Sequence, residues 1–125
     1  MSSRRAILTS IAALGLILAA CSGPATPPPS VPADAIRISA DRLAFSTDHL
    51  EVPAGESFTI ALDNRESAPH NVTIFADDSW SNALFREQAV SGPRIAVYAV
   101  PALGAGSYAF RCDVHPMMKG TVTAG

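Results

Sequence analysis

Apolar positions along this chain follow two regimes. From Ala6 to Ala20 they form a nearly unbroken run, whereas from about residue 35 they come in short groups separated by Gly, Pro, Asn and Asp. The second regime is that of strands joined by tight turns, and its rhythm predicts an antiparallel β-domain. Strands are expected near residues 36–40, 49–52, 57–64, 70–75, 95–100, 107–112 and 120–123. Phe58, Ile60 and Leu62 alternate with Thr59, Ala61 and Asp63, so that strand can turn one face to a core. In the next long strand the alternation of Val97 and Ala99 with Tyr98 and Val100 leaves the inward face open. Pro53-Ala54-Gly55 and Gly104-Ala105-Gly106 read as turns, because proline fixes φ and glycine reaches positive φ without strain. Residues 76–92 break the rhythm. There Trp80, Ala83 and Leu84 follow Ser79 as a short helical turn capped by that serine would, and Trp80 and Phe85 are expected to cover the core. About seven to eight short strands without helical crossovers imply an all-β, single-domain Greek-key sandwich or barrel.

The first regime is an address. Arg4 and Arg5 precede an apolar run that is shorter than the roughly 20 residues of a spanning helix, the pattern of an export signal over residues 1–20. Leu18-Ala19-Ala20-Cys21 resembles a bacterial lipobox, which implies lipidation of Cys21 and anchoring of an exported chain at the outer face of a membrane, on the periplasmic or extracellular side. Ser3-Arg4-Arg5 fits either general or twin-arginine export. Residues 21–34 are rich in Pro and poor in large apolar groups, so they read as a tether. The folded domain is expected over residues 35–125.

Composition narrows the function. A chain of 125 residues builds one ordinary domain. Beyond residue 20 there are seven basic and eleven acidic residues, a formal charge of −4. That balance lacks the concentrated basic surface that nucleic-acid binding requires.

Chemistry enters with the cysteines. If Cys21 carries lipid, Cys112 is the sole thiol of an exported protein and cannot close an internal disulfide. Cys112-Asp113-Val114-His115-Pro116-Met117-Met118 sets a thiol, an imidazole and a thioether in one short loop. Taken singly, Cys112 could be a small buried hydrophobe, His115 a polar loop residue and Met118 core filling. Together they form a soft donor set that suits copper, since methionine is a poor zinc ligand. A fourth donor must come from elsewhere. His70 is the better candidate because it opens a strand after Pro69, while His49, between Asp48 and Leu50, is expected to be structural or exposed.

Val52-Pro53-Ala54-Gly55, Pro69-His70-Asn71-Val72, Tyr108-Ala109-Phe110-Arg111-Cys112 and His115-Pro116-Met117-Met118-Lys119-Gly120-Thr121-Val122 resemble segments of small cupredoxins, the blue type 1 copper proteins of the plastocyanin and amicyanin branch. The resemblance covers roughly residues 35–125. It implies one copper ion, Cu(I)/Cu(II), held by the imidazoles of His70 and His115, the Cys112 thiolate and an axial Met118 thioether. The Cys-x-x-His-x-x-Met spacing is similar to the short loop of amicyanin and favours Met118 over Met117, which is expected at the surface. Asn71 matches the family residue that ties the two ligand loops together and supports the cysteine sulfur by hydrogen bonding. Three strong ligands and a weak axial one leave little room for substrate, so the expectation is a one-electron carrier and not an enzyme. Redox partners would dock on the apolar rim of His115 formed by Pro116, Met117, Ala68 and Pro69, and the chain is expected to be a monomer. The competing expectation is a copper-trafficking or storage protein that hands over the ion.

Overall fold

The computed structural model describes residues 23–125, so the leader and the lipidation site at Cys21 lie outside the described residues. Residues 23–30 are exposed and without regular structure, as a proline-rich tether should be. Among the described residues nine strands follow: β1 (Ile36–Asp41), β2 (Ala44–Phe45), β3 (His49–Val52), β4 (Phe58–Asn64), β5 (Thr73–Phe75), β6 (Ala83–Phe85), β7 (Arg94–Val100), β8 (Gly106–Arg111) and β9 (Lys119–Ala124). They form a four-stranded sheet, β2-β1-β4-β7, and a five-stranded sheet, β3-β9-β8-β5-β6. Both sheets are mixed, since β1 runs parallel to β4 and β3 parallel to β9 while the remaining pairs are antiparallel.

The core lies between the sheets. Ile38, Ile60, Leu62, Val72, Ile74, Phe110 and Val122 are almost completely buried in one apolar cluster. In β7 the inward residues are Ala96, Tyr98 and Val100, which resolves the ambiguity of its alternation. At one end, Pro53-Ala54-Gly55 turns the chain: Gly55 has φ of 75° and its N–H donates to the Leu103 carbonyl at 2.7 Å. The opposite end gathers the β1–β2 turn, the β4–β5 and β6–β7 connections and the β8–β9 loop, because all of these strands enter or leave the sheets there.

Three expectations need correction. The domain is not purely antiparallel, because β1 lies beside β4 and β3 beside β9 in parallel, pairings that join strands distant in sequence. Residues 76–92 contain no helical turn; β6 instead pairs with β5 across a register shift at Ile74/Phe75. Ser79 is not a helix cap. Its N–H donates to Asp77 Oδ1 at 2.9 Å and its hydroxyl bonds that of Ser81 at 2.7 Å, a local turn that competes with helix. Trp80 then sits at φ of 61°, outside the helical region, with its ring edge-on to Phe75 at 5.3 Å. The strand expected over residues 70–75 is also shorter: only Thr73–Phe75 pairs as a strand, and His70 forms an isolated antiparallel bridge with Val90.

Candidate metal centre

The β8–β9 loop organises itself. Cys112 leaves β8 and donates its N–H to the Met118 carbonyl at 2.9 Å, and Met118 donates its N–H to the His115 carbonyl at 2.9 Å. These two bonds fold residues 112–118 into a tight turn that projects all three candidate donors from one short segment. Cys112 is fully buried, Met118 is 2% exposed, and His115 is half-buried. Met117, pointing the other way, is 70% exposed.

His70 reaches the same place from the other sheet's connection. Its backbone is locked to Val90 by reciprocal hydrogen bonds of 3.1 and 2.9 Å. Its ring is fully buried, with Nδ1 3.8 Å from Cys112 Sγ. His115 Nδ1 lies 3.9 Å from the same sulfur, and the two imidazole rings stand 4.8 Å apart. One donor atom from each of His70, Cys112 and His115 falls within 4.8 Å of the others. Separations of this size are roughly twice the ~2.0–2.3 Å bond of a first-row metal to nitrogen or sulfur, so one ion fits between them.

The chemistry of the donors selects the metal. Two imidazoles and a thiolate, with a buried thioether in the same loop, form a His2Cys set with a sulfur neighbour, which suits copper better than zinc. His49 plays no part: it is exposed in β3, 3.8 Å from Glu51.

Around the donors lies a buried polar frame. Asn71 accepts the Asp113 N–H on Oδ1 at 2.9 Å and donates Nδ2 to Asp113 Oδ2 at 3.0 Å and to the Glu87 carbonyl at 2.8 Å. It therefore spans the two ligand loops. Cys112 Sγ is not among the hydrogen-bond partners of Asn71, so the expected bond to the sulfur is not found and the side chain is spent on Asp113, Thr73 and Glu87 instead. Burial alone would push the Asp113 carboxyl up, but hydrogen bonds from Asn71 and Thr73, with the Arg86 guanidinium, hold it below its ordinary value.

Three framing residues escape a reading of spacing. Asn64, fully buried at the end of β4, donates to the carbonyls of Ala68 and Val90, both at 2.8 Å, and accepts the Glu66 N–H at 3.0 Å. Thr73 donates to Asp113 Oδ2 at 2.7 Å. Glu66 places Oε1 2.6 Å from His70 Nε2. The only signal in the sequence was polar residues beside a predicted ligand, and such residues are usually solvated.

Known proteins resemble this chain in sequence and in fold. The Cupredoxin-like domain family matches residues 10–124. Amicyanin from Paracoccus versutus is 33% identical over 97 residues, which are 74% of this chain and 66% of that one; the chain thus spans just under two thirds of that relative's length. The solved structure of amicyanin from Paracoccus versutus superposes with a TM-score of 0.59 at 32% identity, over 76% of this chain and 85% of that one. Auracyanin A from Chloroflexus aurantiacus, described as a "blue" copper protein, reaches 0.64 at 21% identity over 73% and 98% of the two chains, a likeness of fold. A buried Cys and two His gathered at one end of two mixed sheets, in a chain matched almost end to end by that family, lead to one conclusion: this chain belongs to the cupredoxin-like family.

Proposed function

We propose that the domain binds one copper ion through His70, Cys112, His115 and Met118 and serves as a one-electron carrier between redox proteins, and that it is not an enzyme. The observation that carries this reading is the convergence of His70, Cys112 and His115 donor atoms to within 4.8 Å, in a pocket where two of the three residues are fully buried. The bound ion supplies a one-electron couple between Cu(I) and Cu(II). The protein's own contribution is rigidity. The two backbone bonds of the 112–118 loop and the Val90 bridge to His70 hold donor residues directly, and the Asn71 tie to Asp113 joins their two loops. A frame that fixes its donors resists rearrangement between oxidation states, which keeps electron exchange fast.

Access supports a carrier of electrons over a carrier of ions. His70, Cys112 and Met118 are closed off from solvent, and His115 alone among the four is half-exposed. Of the expected rim, Met117 is 70% exposed, Pro116 and Pro69 are exposed and Ala68 is half-buried; Val114, 48% exposed, adjoins it, and Leu43 shares a groove with Met117. This apolar rim suits brief docking of a redox partner, since transient encounters need only a modest interface. We further propose export and lipid anchoring at Cys21, with the exposed proline-rich segment as tether.

The test is copper loading of the full chain. An intense thiolate-to-Cu(II) absorption band, narrow copper hyperfine splitting and reversible electron exchange with the ion retained are expected. A colourless Cu(II) adduct with Cys112 still open to alkylation would overturn the ligand assignment, and rapid transfer of the ion to an apo-acceptor would favour a copper-delivery role. Mass spectrometry of the mature N-terminus tests the anchor.

A further inference from the structure

One carboxylate oxygen stands between a candidate ligand and a surface turn. Glu66 Oε1 lies 2.6 Å from His70 Nε2 and accepts the Leu43 N–H at 3.0 Å. The His70 ring is fully buried, so no solvent competes for Nε2. A carboxylate accepts from an N–H, which calls for the His70 tautomer protonated at Nε2 and leaves the Nδ1 lone pair directed at the donor cluster. Glu66 is itself braced from both sides: its N–H donates to Asn64 Oδ1 at 3.0 Å, and its carbonyl accepts the Gly92 N–H at 3.1 Å. A Cβ on residue 92 would come within 2.5 Å of the Asn64 carbonyl oxygen and 2.7 Å of that of Glu66, so the close approach that braces Glu66 requires glycine there.

The turn at the other side of Glu66 is one that needs holding. Arg42 and Leu43, between β1 and β2, have φ of 52° and 58°, left-handed values that cost non-glycine residues free energy. Leu43 is 45% exposed and lines the groove that also contains Met117 and Met118. The turn is therefore part of the surface beside the metal centre, and its central amide is bound to the oxygen that meets His70.

We infer that Glu66 is a positioning residue: through Oε1 it fixes the tautomer and orientation of His70 and pins the β1–β2 turn in the same act, so that ligand and docking rim are registered to one atom. The assignment of His70 as a ligand rests on the function proposed above, whereas the bonds of Glu66 to His70 and Leu43 have readouts of their own that do not need the metal.

The test uses the metal-free full chain, ¹⁵N-labelled, with Glu66→Ala and Glu66→Gln. In the unaltered chain the His70 ring is expected in the Nε2-protonated tautomer with a slowly exchanging ring proton, and the Leu43 amide is expected to be protected. Glu66→Ala should lose the ring-proton signal and accelerate Leu43 exchange by about tenfold or more, the factor that a hydrogen bond to a charged acceptor supports. Glu66→Gln, which keeps an acceptor oxygen, should restore both signals. On copper loading, Glu66→Ala should bind about 10–100-fold more weakly, as loss of an outer partner of a ligand histidine does. An unchanged His70 tautomer and Leu43 protection in Glu66→Ala, or a failure of Glu66→Gln to restore either, would overturn the inference. If the unaltered chain showed the clamp but no copper site, the function reading would fall and the clamp would remain.

Discussion

The two segments that supply the donors are built on opposite plans. The 112–118 loop carries Cys112, His115 and Met118 and holds its shape with two backbone hydrogen bonds between its own residues. It is tied to the rest of the fold at Asp113, by Asn71, Thr73 and Arg86. The 64–72 segment carries one donor, His70, and is held by side chains: Asn64 and Asn71 fasten it to Val90, Glu87 and Asp113, as many as 42 positions away, and Asn64 and Glu66 also bond within it, to Ala68 and His70. A turn closed by backbone bonds tolerates variation around it, whereas a segment hung on side chains is as precise as those side chains are buried. The difference teaches where this centre is vulnerable.

The largest effect should come from Cys112→Ser, which removes the donor shared by both contacts with imidazole while leaving the loop's backbone bonds in place. Copper affinity is expected to fall by more than the about 10–100-fold that outer-partner losses cost, with the visible band abolished and the metal-free chain losing no more than the about 1–3 kcal/mol of a newly buried hydroxyl. A larger stability loss in a urea titration would show that the loop's backbone bonds do not hold its shape.

Asn64→Ala strikes the other plan. It strips partners from the Ala68 and Val90 carbonyls and the Glu66 amide, and should cost about 2–3 kcal/mol of stability. Met118 amide protection, measured by hydrogen exchange just below the unfolding transition, should persist; its simultaneous loss would erase the contrast between the segments.

Asn71→Ala cuts the tie that joins them. The expectation is about 10–100-fold weaker copper binding, read by competitive titration, with each segment keeping its own backbone contacts. An affinity equal to that of the unaltered chain would mean that the segments are registered by the sheets alone.

The smallest effect serves as a control in the scaffold. Tyr98, in β7, is 6% exposed, its hydroxyl has no partner among the described residues, and burial pushes its pKa up to about 12. A folded value raised above the unfolded value of about 10 means that its stability contribution is intact below pH 10 and is lost as pH rises toward 12. Tyr98→Phe should change stability near neutral pH by less than about 1 kcal/mol and flatten that alkaline decline. If the alkaline midpoint did not move in a pH series of urea titrations, Tyr98 is not the group responsible.

The legibility of the molecule follows the same division. Cys112, His115 and Met118 stand three positions apart in one loop, so their convergence is a matter of local geometry and their types name the metal. The strands were readable wherever apolar residues alternated, as in β4. Residues 76–92 misled because Ser79 ahead of Trp80, Ala83 and Leu84 satisfies the rule for a helix start, yet the Asp77 side chain captures the Ser79 amide and pairing with β5 claims residues 83–85. Nothing in the spacing of Glu66 or Asn64 separates a buried clamp from an ordinary solvated loop residue.

By itself the sequence determined the β-rich class, the donor types and the candidate ligands, because these depend on residue identity and short-range period. Tertiary structure alone decided that His70 lies within 4 Å of Cys112, that β7 turns Tyr98 inward, and that Glu66 meets a ligand ring. Each of those facts depends on which strands lie side by side, and strand order is set by the burial of the whole core, to which no short stretch of chain has access.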